Sequence, residues 1–363
     1  MQNICFLLDG FQSNGGIGRV TSLIANELCR DEEYSLTTIA YRKTGESLLY
    51  ELSDQIKQYY IYENDYSMTQ ALLYKNIISK LKKILQREKI DILVACGALF
   101  FPVAILATIG TKIKCIAWEH SNGNNVSDHK FQKQCRYIGT KFANATVVLT
   151  KQDLKIYKCR YSTRNIYHIY NPVDQKLIRN NNYLGNNKKI ISVGRLCYQK
   201  NYPMLIKIAK EVLDKNEDWS WDIYGDGPDK QEIEMLIKYY DIEDRVVLKG
   251  QVNNLYEIYQ KYDFLVMTSH YEGFGMVLLE ALSNNLPLIA FDVECGPREV
   301  IVDNINGYLI KPFDVKKMIQ SVDMLCKSGN LRRRFSFATL KKNELFDIDI
   351  VIEKWKKLFK NIN

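Results

Sequence analysis

The sequence predicts an α/β protein of two successive domains, each a parallel β-sheet covered on both faces by helices. Three observations carry this. The chain has 363 residues, about twice the usual domain length. Short apolar runs alternate with longer amphipathic stretches, which is the rhythm of βαβ units. That rhythm pauses at Asn171-Pro172, crosses the polar stretch "RNNNYLGNNKK" and starts again.

Taken in order, "NICFLL" is a first strand and Arg19 to Arg30 the helix after it. Residues 92 to 111, "ILVACGALFFPVAILATIGT", carry no charge and are long enough to span a bilayer as one helix. Gly97 and Pro102 instead divide them into a buried strand, "ILVACG", and a helix, "FFPVAILATI". "IKCIAWE" and "ATVVLT" follow as strands, the second leading into a helix from Lys151 to Lys158, and "IYHIYNPV" closes the first series. The second series reads "IISVGRL", "SWDIYGDG", "RVVLKGQV", "DFLVMTS", "PLIAFDV" and "NGYLI". From Asp349 to Lys360 a final helix places Ile350, Val351, Trp355, Leu358 and Phe359 on one stripe, which must dock. The run Leu72 to Ile90 sets Leu73, Ile77, Ile78, Leu81, Ile84 and Leu85 against a face of lysines and Arg87. Two readings stand for it: an outer helix of the sheet, or a helix lying on an anionic membrane.

Hydrophobic content of 46% and charged content of 25% are those of an ordinary globular protein, which sets aside disordered, collagenous and disulfide-scaffold classes. The nine cysteines are scattered, with no C-x-x-C pair, and read as reduced thiols of a cytoplasmic protein. The N-terminus lacks the basic region of a secretory signal. Net charge is +8, and residues 1 to 170 hold 22 Lys and Arg against 15 Asp and Glu, so the basic character lies in the first half. An anionic membrane or nucleic acid is an admissible partner for such a half.

Open parallel sheets bind ligands in the loops at the C-terminal ends of their strands. After the first strand, "DGFQSNGGIGRV" is either a phosphate-binding turn or a tight turn that requires glycine; its spacing is not G-x-G-x-x-G. His120, in "AWEHSNG", follows another apolar run, with a structural and a cleft-facing reading both open. After "IISVGRL", Arg195 and Lys200 either clamp a diphosphate or remain solvated. Glu272 and Glu280 bracket Gly273, Phe274 and Gly275 in "YEGFGMVLLE". On a helix starting at Gly275, eight positions rise by about 12 Å. The two acids of a glycoside hydrolase must instead flank one bond at roughly 5 to 9.5 Å. The pair therefore grips different parts of one elongated ligand, with the backbone amides between them suited to an anion at the helix N-terminus. Glu280 is surrounded by Met276, Val277, Leu278, Leu279, Ala281 and Leu282, and a carboxylate in apolar company needs a specific partner. No D-x-D pair is placed to hold a metal.

In combination, "GGIGR", "EH" at 119 to 120, "VGRL" with Lys200, "GDGP" at 225 to 228, the E-x7-E pair and "NGYLI" resemble glycosyltransferase family 4, the retaining nucleotide-sugar transferases of GT-B fold. The resemblance spans nearly the whole chain and extends, through "FDVECGPREVI" and "WEHSNG", to the bacterial capsular, lipopolysaccharide and lipid-linked oligosaccharide members. It implies two Rossmann-like domains facing across a cleft: 1–171 for the acceptor, 172–346 for the nucleotide-sugar, and a terminal helix at 347–363 that returns to the first domain. It implies a UDP-hexose or UDP-N-acetylhexosamine donor, a glycan acceptor of the polyprenyl-diphosphate-linked kind, no metal or other cofactor, and no nucleic acid. Arg195 and Lys200 would hold the diphosphate, Glu280 the ribose and Glu272 a sugar hydroxyl. Amides of Phe274, Gly275, Met276 and Val277, with Gly16 and Gly273, would complete the donor contacts, Gln251 and Val252 would face the base, and His120 would sit over the sugar. The location implied is the cytoplasm, peripheral at the inner face of the membrane, with residues 72–90 as the contact. A GT-B-like epimerase or phosphorylase, or a non-catalytic nucleotide-sugar-binding subunit, would use the same clamp.

Overall fold

The computed structural model describes residues 1–11, 16–43, 50–62, 70–124, 130–161, 165–173, 183, 185–252 and 256–362, with backbone alone at 70–74 and 256. The chain forms two compact units, one of Met1–Pro172 with Ile348–Asn363, the other of Val173–Asp347.

In the first unit the strands are β1 (Gln2–Leu8), β2 (Tyr34–Arg42), β3 (Lys57–Tyr62), β4 (Ile92–Cys96), β5 (Lys114–Trp118), β6 (Ala145–Val148) and β7 (Ile166–His168). They lie in the order β3-β2-β1-β4-β5-β6-β7, all parallel. The second unit holds β8 (Lys189–Val193), β9 (Ser220–Tyr224), β10 (Val246–Gly250), β11 (Phe264–Met267), β12 (Leu288–Phe291) and β13 (Gly307–Ile310), in the order β10-β9-β8-β11-β12-β13 and again all parallel. Each sheet starts at its centre, runs to one edge and returns, leaving a topological switch between β1 and β4 and another between β8 and β11.

Central strands such as β4 and β12 are buried on both faces, which is why they read as unbroken apolar runs. The uncharged segment is a strand, a short 3-10 turn at Ala98–Phe100 and the helix Phe101–Thr108; no described helix is long and apolar enough to cross a membrane. The first helix starts at Gly16, one turn earlier than the sequence indicates, and runs to Leu28. In the first unit three elements escape the apolar pattern: β2, β3 and the polar helix Lys130–Phe142.

The helix Gln70–Arg87 resolves its own ambiguity. Ile77, Leu81 and Leu85 are buried in one core with Phe101, Val103, Ala104 and the strands β1, β4 and β5. Its apolar side is consumed by the fold, so the membrane contact expected of 72–90 has only the lysine side to work with. The helix Ile348–Ile362 docks Trp355 against Trp118 at 4.9 Å between ring centroids and Phe359 against Tyr34 at 6.0 Å, while Lys356 reaches Asp31 at 2.7 Å.

Candidate active site

In the second unit, the loops after β8 and β11 meet at the switch point. The chain leaves β8 through Gly194, exposes Arg195 and turns through a 3-10 segment, Tyr198–Lys200. The loop after β11 carries Ser269, His270, Tyr271 and Glu272. Lys200 Nζ donates to Glu272 Oε1 at 2.6 Å, and Ser269 Oγ donates to the same oxygen at 2.7 Å. Further bonds fix the two loops together. His270 N donates to the Gln199 carbonyl at 2.8 Å, Gln199 Nε2 donates to the Tyr271 carbonyl at 3.0 Å, and Tyr198 stacks on His270 at 4.6 Å. Lys200 and Glu272 are both largely buried, so the cation held here is unlike the solvated Arg195.

The motif "GDGP" supports this arrangement from the β9 side. A Cβ on Gly225 would stand 1.9 Å from the Gly194 carbonyl oxygen, and one on Gly227 would stand 2.2 Å from that of Leu196. The backbones pass at contact distance, tied by Gly194 N to the Tyr224 carbonyl and Leu196 N to the Asp226 carbonyl, both at 2.9 Å. Gly296, after β12, packs likewise on the Phe274 carbonyl.

Gly275, in the left-handed region at φ 82°, opens the helix Met276–Ser283, and no side chain caps it. The first amides of a helix have no partner within it and favour an anion. Gly273, Met276 and Val277 are half-buried at this tip, and Phe274 is buried against Phe346. Glu280 lies within the helix, 6% exposed, and accepts from Tyr259 Oη at 2.9 Å. The partner its apolar surroundings call for is thus a buried tyrosine. The two acids have separate partners and do not form an acid/base pair. Gln251 and Val252 follow β10, the first exposed and the second half-buried.

The remaining two candidates belong to the first unit and are described within it. Gly16 is the exposed first residue of its helix. Gly18 has a packing reason, since a Cβ there would meet the Gly10 carbonyl at 2.9 Å. Gly15 lies outside the described residues. His120 follows β5, its ring 4.3 Å from that of Trp118, and its enclosed Nε2 has no hydrogen-bond partner among the described residues. Burial holds its pKa down to about 3, so the imidazole is neutral at pH 7.

Sequence reasoning quoted Glu119 only as part of a motif and passed over Arg136 and Tyr157. Glu119 Oε2 accepts from Arg136 Nε at 2.8 Å and from Tyr157 Oη at 2.9 Å, while Oε1 accepts the amides of His120 and Ser121. This buried carboxylate sets the path of the histidine loop. Ser269 and Tyr259 were also missed; each acts on a carboxylate in the folded chain only.

Two parallel doubly wound sheets, with a cation, a carboxylate and an uncapped helix tip at the switch of the second, define the chain as a two-domain α/β protein with a candidate ligand site at that switch. It belongs to the glycosyltransferases: the family described as Glycosyltransferase Family 4 matches residues 14–177, and Glycosyl transferases group 1 matches residues 174–342. Relatives span the whole chain. The Amylovoran biosynthesis glycosyltransferase AmsD of Erwinia amylovora is 27% identical, over 99% of each chain. A Campylobacter jejuni enzyme, GalNAc-alpha-(1->4)-GalNAc-alpha-(1->3)-diNAcBac-PP-undecaprenol alpha-1,4-N-acetyl-D-galactosaminyltransferase, is 28% identical over 100% of this chain and 99% of its own. In fold, the chain is similar to a mutant of TarM from S. aureus in complex with Fondaparinux, alpha-GlcNAc-glycerol and UDP, with a TM-score of 0.85 and 19% identity over 99% of this chain and 100% of that one. The architecture is the GT-B fold.

Proposed function

We propose that this glycosyltransferase moves a hexose or N-acetylhexosamine, with retention, from a UDP-sugar to a polyprenyl-diphosphate-linked glycan in cell-surface polysaccharide assembly, at the cytoplasmic face of the membrane. The donor reading draws on the UDP complex of the structural neighbour. The acceptor reading draws on the names of the Erwinia and Campylobacter relatives.

The observation that carries it is the Lys200–Glu272 pair beside the uncapped helix at Gly275, at the point where a parallel sheet of this order takes its ligand. An ammonium has three protons. Glu272 takes one and orients the group, leaving two for a diphosphate. Arg195 adds a second cation, the amides from Phe274 to Val277 a third source of positive potential, and Glu280 takes the ribose hydroxyls. Gln251 and Val252 face the base, and Glu272 a hydroxyl of the sugar. In the reaction the acceptor oxygen bonds to the sugar carbon and the bond from that carbon to the diphosphate breaks. UDP leaves with the electron pair and takes the acceptor proton. Charge grows on the diphosphate as the bond breaks, so cations aimed there act more strongly in the transition state than in the ground state. In this reading no metal takes part, and turnover is unchanged by EDTA.

A thermal-shift panel of UDP-, GDP- and ADP-sugars tests the site, because a ligand that binds only the folded state raises Tm, and raises it further the more tightly it binds. UDP-sugars shift the wild type, and Arg195→Ala lowers the shift. An absent UDP-sugar shift, or one that Arg195→Ala leaves intact, overturns the donor assignment.

A further inference from the structure

We propose that the exposed face of Tyr198 is a stacking platform for a pyranose ring of the acceptor glycan, which places part of acceptor recognition in the second unit. The loops after β8 and β11 are tied together twice. One tie is the buried pair of Lys200 and Glu272. Two residues earlier in each loop, Tyr198 lies on His270 with the rings 4.6 Å apart and inclined by only 20°. The charged tie is hidden, but the aromatic one is open, with Tyr198 69% exposed. Its place is fixed all the same. Asn201 N donates to the Tyr198 carbonyl at 3.1 Å, and the bonds from His270 N and Gln199 Nε2 hold its loop to the next. Burial keeps the His270 pKa below its usual value, so an uncharged ring backs the tyrosine at pH 7. A flat face already held in position loses little freedom when a ligand covers it.

The aromatic row continues away from Lys200. Phe313, after β13, is 47% exposed and lies 5.4 Å from His270 and 5.7 Å from the buried Phe291 at the end of β12. Its φ of 64° is in the left-handed region, which a large side chain enters only under constraint. One residue beyond Phe291, Asp292 accepts from Arg298 Nε at 2.9 Å and from a terminal guanidinium nitrogen at 2.5 Å. That guanidinium is half exposed and keeps further N–H groups for hydroxyls. A pyranose matches the set, because its C–H face carries partial positive charge towards the electron-rich face of an aromatic ring while its hydroxyls point outward. Direction separates glycan from nucleotide. β10, whose loop holds Gln251, lies on one side of β8, and β11, β12 and β13 lie on the other. The row therefore leads away from the base contacts proposed above, while starting two residues from both Lys200 and Glu272. The ligand class rests on the glycan acceptor proposed above, whereas the stacking itself needs no nucleotide.

The full chain is mixed with the methyl glycosides of glucose, galactose, N-acetylglucosamine and N-acetylgalactosamine, without nucleotide, and saturation-transfer NMR reads binding. At least one glycoside receives transfer on the protons of one ring face. Tyr198→Phe keeps that signal, whereas Tyr198→Ala and Tyr198→Leu lower the affinity about tenfold. Leucine still covers His270 but offers no aromatic face. The Tm shift given by a UDP-sugar persists in all three variants. No transfer to any glycoside, an equal signal in wild type and Tyr198→Leu, or a loss in Tyr198→Phe as large as in Tyr198→Ala overturns the platform. So does a UDP-sugar shift lost in Tyr198→Ala and Tyr198→Leu, which would put the ring in the donor site, or a dimer in solution that Tyr198→Ala dissolves. If the wild type binds a glycoside through Tyr198 but shows no UDP-sugar shift, the platform stands and only the donor assignment fails.

Discussion

Lys200 Nζ and Glu272 Oε1 lie 2.6 Å apart, joining loops from two neighbouring strands that are 72 residues apart in sequence. The pair is nearly buried, at 14% and 5% side-chain exposure, so removing one partner strands the other in a poor solvent for charge. Lys200→Met is expected to cost about 3 to 5 kcal/mol of stability and about 100-fold or more in turnover. Urea unfolding and steady-state kinetics check both. A variant with ordinary stability and turnover would mean that the ammonium neither holds the loops nor meets the leaving group.

Tyr259 Oη donates to Glu280 from a wholly buried position. Tyr259→Phe keeps the packing and removes one hydrogen bond to a charged group, worth about 1.5 to 3 kcal/mol. UDP affinity is expected to drop roughly tenfold, with turnover at saturating donor little changed. Calorimetric titration with UDP gives the answer, and an unchanged Kd would detach Glu280 from the nucleotide.

Gly225 and Gly250 offer a matched contrast. Both have positive φ, at 145° and 70°, but a Cβ at Gly225 collides with backbone while one at Gly250 meets nothing within 4 Å. Gly250→Ala pays only for the backbone conformation, on the order of 1 kcal/mol. Gly225→Ala must also displace the loop that carries Arg195, so KM for the donor rises along with a larger stability loss. Equal effects in thermal melts and donor titrations would remove the support role of the β9 loop.

His120 makes stability depend on pH. Its imidazole is held down by burial to about 3, against 6.5 for the free group. Between those values the unfolded chain binds the extra proton, so the contribution is complete above pH 6.5 and is lost as pH falls towards 3. Wild-type Tm is therefore expected to fall more steeply from pH 7 to pH 5 than that of His120→Phe. Parallel curves would show an imidazole in contact with water.

Arg136→Met leaves the Glu119 carboxylate in the core without its cation. A loss of about 3 to 5 kcal/mol is expected, read by denaturation. Addition of Glu119→Gln should recover part of it, since the buried charge is then gone. No recovery would place the damage in packing rather than charge.

All six strands of the second sheet were legible as apolar runs: β8, β11 and β12 lie inside the sheet and are almost wholly buried, and even the edge strand β10, only partly buried, opens on Val246, Val247 and Leu248. β3 was not, because "KQYYIY" occupies a sheet edge where polar residues are free to alternate. The helix Lys130–Phe142 was hidden for a related reason: much of it faces outward and its sequence is polar. In the site, chemical type and position after an apolar run marked Arg195, Lys200, Glu272 and Glu280. Their partners were out of reach. Ser269 and Tyr259 carry no charge to mark them, and the bond between Lys200 and Glu272 exists only after β8 and β11 have become neighbours. The amphipathic run at 72–90 showed the limit of periodicity, which marks a side that must be covered without naming the cover.

Trp355 is fully enclosed against Trp118 although it follows the entire second unit in the chain. The first unit is therefore left with an open seam while its neighbour is still being synthesised. A ribosome must finish both halves before the first sheet's partner helices are all in place, and a premature stop ahead of Trp355 would injure the half that was made first.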